Sequence, residues 1–323
     1  MKQAQFESRH RSALREFNSA LDEAKKRRIE NPERFIALYQ EVCHLQAIAH
    51  GRGYSLSLLE MLDRSVDAGH AILYQKRTSY LGQFLQFVIA DFGRVLRAEA
   101  RFFWLAFALF FGPLFAVVLA GWINPDVPIM IMGHYQATEL EMMYDPSHAI
   151  IGEARDSESN WLMFGHYIRN NITIAFRCFA SGVVLMVGTL FLTIYNGLFI
   201  GAAASHINNV GYYETFYGFV VGHGSFELIA IVIACAAGLK IGFALIMPGQ
   251  LSRIESLKQS GRIAIQLMLG SLILLVIAAF VEAFWSSNNL LPFTSKLIIG
   301  LLGWALLAWY LVRSGRRYDL RVT

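Results

Sequence analysis

The stretch Gly222–Gly242, GHGSFELIAIVIACAAGLKIG, is apolar enough to sit in hydrocarbon, yet it carries His223, Glu227 and Lys240. Ionisable groups are costly at bilayer depth, so their presence on such a segment makes a polar intramembrane site the hypothesis to weigh. His223 and Glu227 are four residues apart and share one face of a helix. The competing reading starts the span at Phe226, which puts Glu227 in a first helical turn, where the helix dipole favours an anion. Lys240 falls on roughly the opposite face from Glu227 and is expected to snorkel toward the basic loop that follows.

Around this stretch the chain reads as a membrane protein. Of its 323 residues 55% are hydrophobic and only 16% charged, with a mean hydropathy of +0.42. Soluble domains carry about 25% charged residues. Five apolar runs are expected to span: Phe102–Ile123, kinked at Gly112-Pro113, then Ile172–Ile200, Phe226–Met247, Ile263–Phe284 and Phe293–Val312. The fold class is therefore all-α: a polytopic helical membrane protein of five or six spans with an N-terminal cytosolic helical domain. Residues 1–101 read as a helical bundle, with a membrane-proximal amphipathic helix from Tyr80 to Arg101. Residues 102–323 form the transmembrane domain, and 124–170 an external acidic loop. Asn31-Pro32 marks a helix start, with Asn31 as the cap. The charged N-terminus does not read as a signal peptide, so the first apolar run is expected to serve as the insertion signal.

Lysine and arginine placement predicts orientation. Arg94, Arg97 and Arg101 place the N-terminus in the cytoplasm of a bacterial inner membrane. The loop with Arg253, Lys258 and Arg262 and the tail with Arg313, Arg316, Arg317 and Arg321 demand the same side. Five simple spans would put both outside. One more crossing, or one fewer, is needed before Arg253. The candidate is Tyr212–Gly222, half a bilayer long, as a re-entrant half-helix broken at Gly222/Gly224.

GxxxG pairs at Gly197/Gly201, Gly218/Gly222 and Gly238/Gly242 predict close backbone packing of the central helices. Arg177 and Glu282 are the further ionisable residues near span ends, so an interior cluster of Arg177, His223, Glu227, Lys240 and Glu282 is one expectation; interfacial positions for Arg177 and Glu282 are the other. A metal at His223 and Glu227 would need further ligands, for which His206 or Glu282 are the only suggestions, so no metal and no cofactor are expected. The cysteines, Cys43, Cys178 and Cys235, form no CxxC. Phosphate-binding and hydrolase motifs are absent, and nothing points to nucleic acid.

The segment His223–Gly242 resembles the signature of the stage II sporulation protein M family, an HGxxEL motif opening a span. YNGLFIG (Tyr195–Gly201) and RNNITIAFRCFASGVVLMVGT (Arg169–Thr189) resemble the family's upstream turn and span, and LDRSVDAGHAILY (Leu62–Tyr74) is similar to the helical extension of its non-sporulating members. The matching positions are Asn196, Gly197, His223, Gly224, Glu227 and Leu228; Gly222 stands where the family often has proline. In spore formers the resemblance implies an integral-membrane part of a peptidoglycan-remodelling complex. The expected function is thus a non-enzymatic scaffold or envelope-remodelling component, working with membrane lipids and other envelope proteins and forming a homo-oligomer. The alternative is a transporter or lipid-handling protein with an intramembrane His–Glu site. An intramembrane enzyme is the third reading.

Overall fold

The computed structural model describes residues 2–26, 31–73, 80–147, 157–287 and 291–316. Arg317 and Arg321 of the basic tail, and residues 148–156 of the expected acidic loop, lie outside the described residues. All regular structure among the described residues is helical, and the chain divides into two compact units, Met1–Gly82 and Gln83–Thr323.

The first unit packs α1 (Gln3–Lys26), α2 (Pro32–Gly51) and α3 (Leu56–Leu73). Its helical apolar spacing becomes one core of Phe6, Phe17, Leu21, Phe35, Val42, Leu45 and Leu62. The Asn31 side chain accepts from the Arg34 N–H at 3.1 Å, capping α2 with Pro32 in its first turn.

The division at Gly82/Gln83 differs from the expected boundary between 101 and 102, because apolar burial does not stop where the membrane run starts. The expected Tyr80–Arg101 helix is broken into α4 (Tyr80–Gln86), a π-helical turn (Phe87–Asp91) and α5 (Phe92–Ala98). Phe92 and Leu96 belong to the core of the second unit, and Phe92 lies directly over Gly270.

Five described helices are long and apolar enough to cross a membrane: α6 (Ala100–Ile123), α10 (Val187–Val210), α11 (Tyr213–Ile246), α12 (Arg253–Val281, continued by a π-helical turn Glu282–Ser286) and α13 (Phe293–Arg313). Between α6 and α10 lie the short α7 (Asp126–Met132) and α8 (His134–Tyr144), then α9 (Ser157–Ala180). The expected 124–170 loop is therefore largely helical, and its last residues belong to α9. The expected Ile172–Ile200 span is two helices. Residues 181–186 turn between α9 and α10, with Leu185 and Met186 at φ 46° and 68°. Hydropathy runs straight through this turn because its residues are themselves apolar.

Packing fixes the direction of each helix. Gly197 and Gly201 of α10 rest on the Phe110 and Leu114 carbonyls of α6, so the two run parallel. Phe102 meets Phe243, which makes α11 antiparallel to α6. Ser271 donates to the Ala230 carbonyl at 2.6 Å and Trp285 covers Gly222, so α12 is antiparallel to α11. Gly300 meets Val221 and Gly303 approaches Ser225, so α13 is parallel to α11. In α9, Trp161 and Phe164 meet Phe284 and Phe280 edge-to-face while Cys178 meets Gly238 at the other end. Hence α9 also runs with α11.

The six long helices of this unit alternate strictly in direction: α6 up, α9 down, α10 up, α11 down, α12 up, α13 down. One end of the unit collects Arg94, Arg97, Arg101, Arg177, Arg253, Lys258, Arg262, Arg313 and Arg316. The other collects α7, α8 and the acidic residues Asp126, Glu139, Glu141 and Asp145. The charges called for one more change of direction, or one fewer, before Arg253, and α9, which runs opposite to α6 and α10, is one more. Segment 212–222 does not supply it, because α11 is one continuous helix through Gly222 and Gly224. Its 34 residues rise about 51 Å.

Candidate polar site between α11 and α12

His223, 4% exposed, projects from the fourth turn region of α11 toward the end of α12. Its Nδ1 lies 3.0 Å from Ser286 Oγ. Its Nε2 faces two carboxylates, Glu227 Oε2 at 3.6 Å and Glu282 Oε1 at 4.0 Å. One donor atom from each of the three residues falls within 4.8 Å of the others. The second Glu282 oxygen, Oε2, is buried without a hydrogen-bond partner. Among the described residues no lysine or arginine reaches ion-pair distance of Glu227 or Glu282.

Local sequence explains the assembly. His223 and Glu227 are stacked by the helical period of α11. Glu282 and Ser286 are stacked likewise by the π-helical turn that ends α12, a distortion that recurs at functional sites. Gly222 lets α12 approach, since a side chain there would collide with the Trp285 ring. Phe219 meets the His223 ring edge-on with centroids 5.4 Å apart, and Lys296 Nζ donates to the Ser286 carbonyl at 3.0 Å. Tyr144 of α8 closes over the acidic end against Phe216 and Phe219. Burial, and then the nearby Glu282 carboxylate, push its phenol well above the ordinary tyrosine range.

The expected five-residue cluster is only partly assembled. His223, Glu227 and Glu282 come together. Arg177 does not join them: it is exposed near the end of α9, at the opposite end of the unit. Lys240 is also elsewhere. Its Nζ donates to Glu99 Oε1 at 2.7 Å, and the pair is almost fully buried, so Lys240 reaches neither the cluster nor the Arg253 loop. The site lies about 4 Å to the acidic side of the α11 midpoint. Glu227 stands 14 residues after Tyr213 and 19 before Ile246, about 21 and 29 Å along the axis, so it sits toward the acidic end. The discontinuity beside it is in α12 rather than α11.

Of the motif residues, Asn196 points away from the cluster, donating to the Leu192 carbonyl at 2.7 Å and facing Cys178 Sγ at 3.8 Å. Gly197, Gly201, Gly238 and Gly242 all lie against a neighbouring backbone, whereas Gly222 lies against the Trp285 ring. Gly218 and Gly224 meet nothing closer than ordinary contact, so the middle GxxxG pair packs through one glycine only. His206 is not a partner of His223: its Nε2 lies 2.7 Å from Glu141 Oε1 of α8. Glu99 and Glu141 gave no signal in the sequence, because each is a lone acid whose partner lies far along the chain.

This arrangement surrounds the motif by which one family is recognised, and the sequence signature of stage II sporulation protein M matches residues 100–287. The chain belongs to the stage II sporulation protein M family. The match covers α6 to α12 and ends at the π-helical turn that carries Glu282 and Ser286, so the whole polar site lies within it. An uncharacterised protein of Methanocaldococcus jannaschii is 27% identical over 123 residues, 38% of this chain and 69% of the relative. No solved structure matches. The chain is a membrane protein of this family by both its apolar helices and its sequence.

Proposed function

We propose that this family member is a cation-handling protein of the cytoplasmic membrane whose working part is the His223–Glu227–Glu282 site. The observation that carries the reading is two carboxylates, Glu282 buried and Glu227 half-buried, converging on one imidazole nitrogen, with no lysine or arginine of the described residues within ion-pair distance of either. An ionised group at the helix centre costs about 2.5–3.5 kcal/mol on insertion scales, so three ionisable groups on two packed membrane helices are expensive to keep for packing alone. A proton or a bound cation offsets that cost and also gives the site its use. Charge segregation supports an orientation with the basic end in the cytoplasm, the N-terminal unit cytoplasmic and Tyr144 on the outer side.

A second reading, a non-enzymatic scaffold working through envelope partners, is favoured by a different observation. Residues Ile229 to Gly242 of α11 are buried without interruption, and glycine contacts bring α11 and α10 against their neighbours. Such a filled centre suits a rigid platform.

Glu227→Gln separates the two. It preserves shape and removes the charge. With a working polar site, the variant inserts and folds normally but does not complement a deletion strain. A fully active Glu227→Gln variant would leave the stretch as a packing motif and the scaffold reading in place.

A further inference from the structure

The spacing inside the cluster is informative. At 3.6 and 4.0 Å, His223 Nε2 is too far from either carboxylate for a hydrogen bond of ordinary length, about 2.7–3.2 Å. The 3.6 Å separation is near the spacing of donors around a shared ion, and the 4.0 Å one is about half an ångström wider, so Glu282 would close slightly on an ion held there. Two ligands each about 2.1 Å from a tetrahedral centre are about 3.4 Å apart. The Glu282 Oε2 lone pairs point to the same conclusion independently, since a carboxylate oxygen this deeply buried is rarely left without a partner.

We propose that His223 Nε2, Glu227 and Glu282 bind one divalent ion of the zinc class, with three protein ligands and a fourth position open to water or an anionic group. This rests on the polar-site reading above and names its ligand. The donor set selects the class. One imidazole with two carboxylates suits first-row transition ions, whereas magnesium and calcium prefer all-oxygen shells of six or more ligands. Charge agrees as well: two carboxylates and a neutral imidazole match a divalent cation. The contact between Nδ1 and Ser286 Oγ is the outer-shell bond that metal-binding histidines usually make. It holds Nε2 free and aimed at the ion, and Ser286 is itself held through its carbonyl by Lys296. Ser286 is therefore a positioning residue. The ligands come from two helices, so the ion would tie the end of α12 to α11 and make their packing metal-dependent.

The test uses the full-length protein in detergent, stripped with chelator and titrated with Zn2+ by calorimetry, with bound metal counted by elemental analysis. One equivalent is expected, and excess Mg2+ should not displace it. Glu282→Gln and His223→Gln should each weaken Zn2+ binding by more than tenfold, and Ser286→Ala by about 10–100-fold. Zn2+ should raise the unfolding temperature of the parent protein but not of Glu282→Gln, a comparison that also shows whether the variant is folded. Substoichiometric zinc in the parent, or undiminished affinity in a folded Glu282→Gln, overturns the proposal. Failure of this inference and of the reading beneath it look different. No zinc binding with an inactive Glu227→Gln leaves a polar site without a metal. Zinc binding with a fully active Glu227→Gln leaves a metal that only holds helices together.

Discussion

Replacing Lys240 by methionine tests how the basic end of the membrane unit is held. Lys240 Nζ sits 2.7 Å from Glu99 Oε1, with the side chains 10% and 12% exposed, and the ammonium lies 5.6 Å from the Phe102 ring centre. At an effective dielectric of about 20, opposite charges at that separation attract by about 6 kcal/mol. Much of this is offset by desolvation of both groups, so the pair by itself stabilises only modestly. Breaking it is another matter. Methionine keeps the length and apolar stem of lysine but strands the Glu99 carboxylate among Phe102 and its neighbours, which costs about 3–5 kcal/mol. For a unit of this size, about 2–4 °C per kcal/mol translates to a melting temperature lower by about 6–20 °C. The assay is thermal unfolding of detergent-purified protein followed by circular dichroism. The double variant Glu99→Gln/Lys240→Met removes both charges and should recover most of the loss. A Lys240→Met midpoint equal to that of the parent would refute the reasoning, because it would mean that the pair is hydrated in solution. A double variant as unstable as the single would assign the cost to packing instead of charge.

Two further outcomes follow from the packing and from the direction of the helices. Gly238→Leu should lower the melting temperature, since even a Cβ there comes within 2.6 Å of the Cys178 carbonyl and of Thr189 Oγ1. Gly224→Ala, where a Cβ meets only Val220 at 3.4 Å, should be neutral or slightly stabilising; equal effects at both positions would show that α11 is not held through Gly238. For topology, single cysteines at Gln259 and Gln136, both exposed, are placed in a cysteine-free background and treated with an impermeant thiol reagent in intact cells. Gln136→Cys should label and Gln259→Cys should not, whereas labelling of both or neither would contradict six alternating crossings.

How much of this was legible beforehand differs from element to element. The Phe102–Ile123 run became α6 and the Phe293–Val312 run became α13 within two residues, because each is a single apolar block bounded by polar residues. Ile172–Ile200 misled, because the chain turns at residues 181–186 within apolar sequence. Gly182 packs on Gly238, but Val183, Val184 and Leu185 are exposed apolar side chains, so the turn carries no polar residue to mark it once Ser181 is passed. The Tyr212–Gly222 segment misled in the opposite direction. Its glycines suggested a break, but Gly222 marks a close approach to Trp285, Gly218 meets only ordinary contact, and the helix runs on. Charge counting carried further than hydropathy: it demanded one more crossing, or one fewer, before Arg253. The additional change of direction comes from α9, a helix too polar to be recognised as a span by composition. Its Asn171, Ala175 and Cys178 are buried within the membrane unit, so part of its polar surface never has to face lipid.

The sequence by itself determined the class of protein, the His223–Glu227 face and the glycine contacts of α10 and α11, because all of these follow from composition and from a helical period acting within a few residues. It could not decide which distant charges meet. Glu282 reaches His223 through the antiparallel packing of α12 on α11, while Lys240, only 13 positions beyond Glu227, turns to Glu99 at the other end of the unit. Spacing along one helix sets the face a side chain occupies. The partner opposite that face depends on how the helices are packed, and only the tertiary structure decided that.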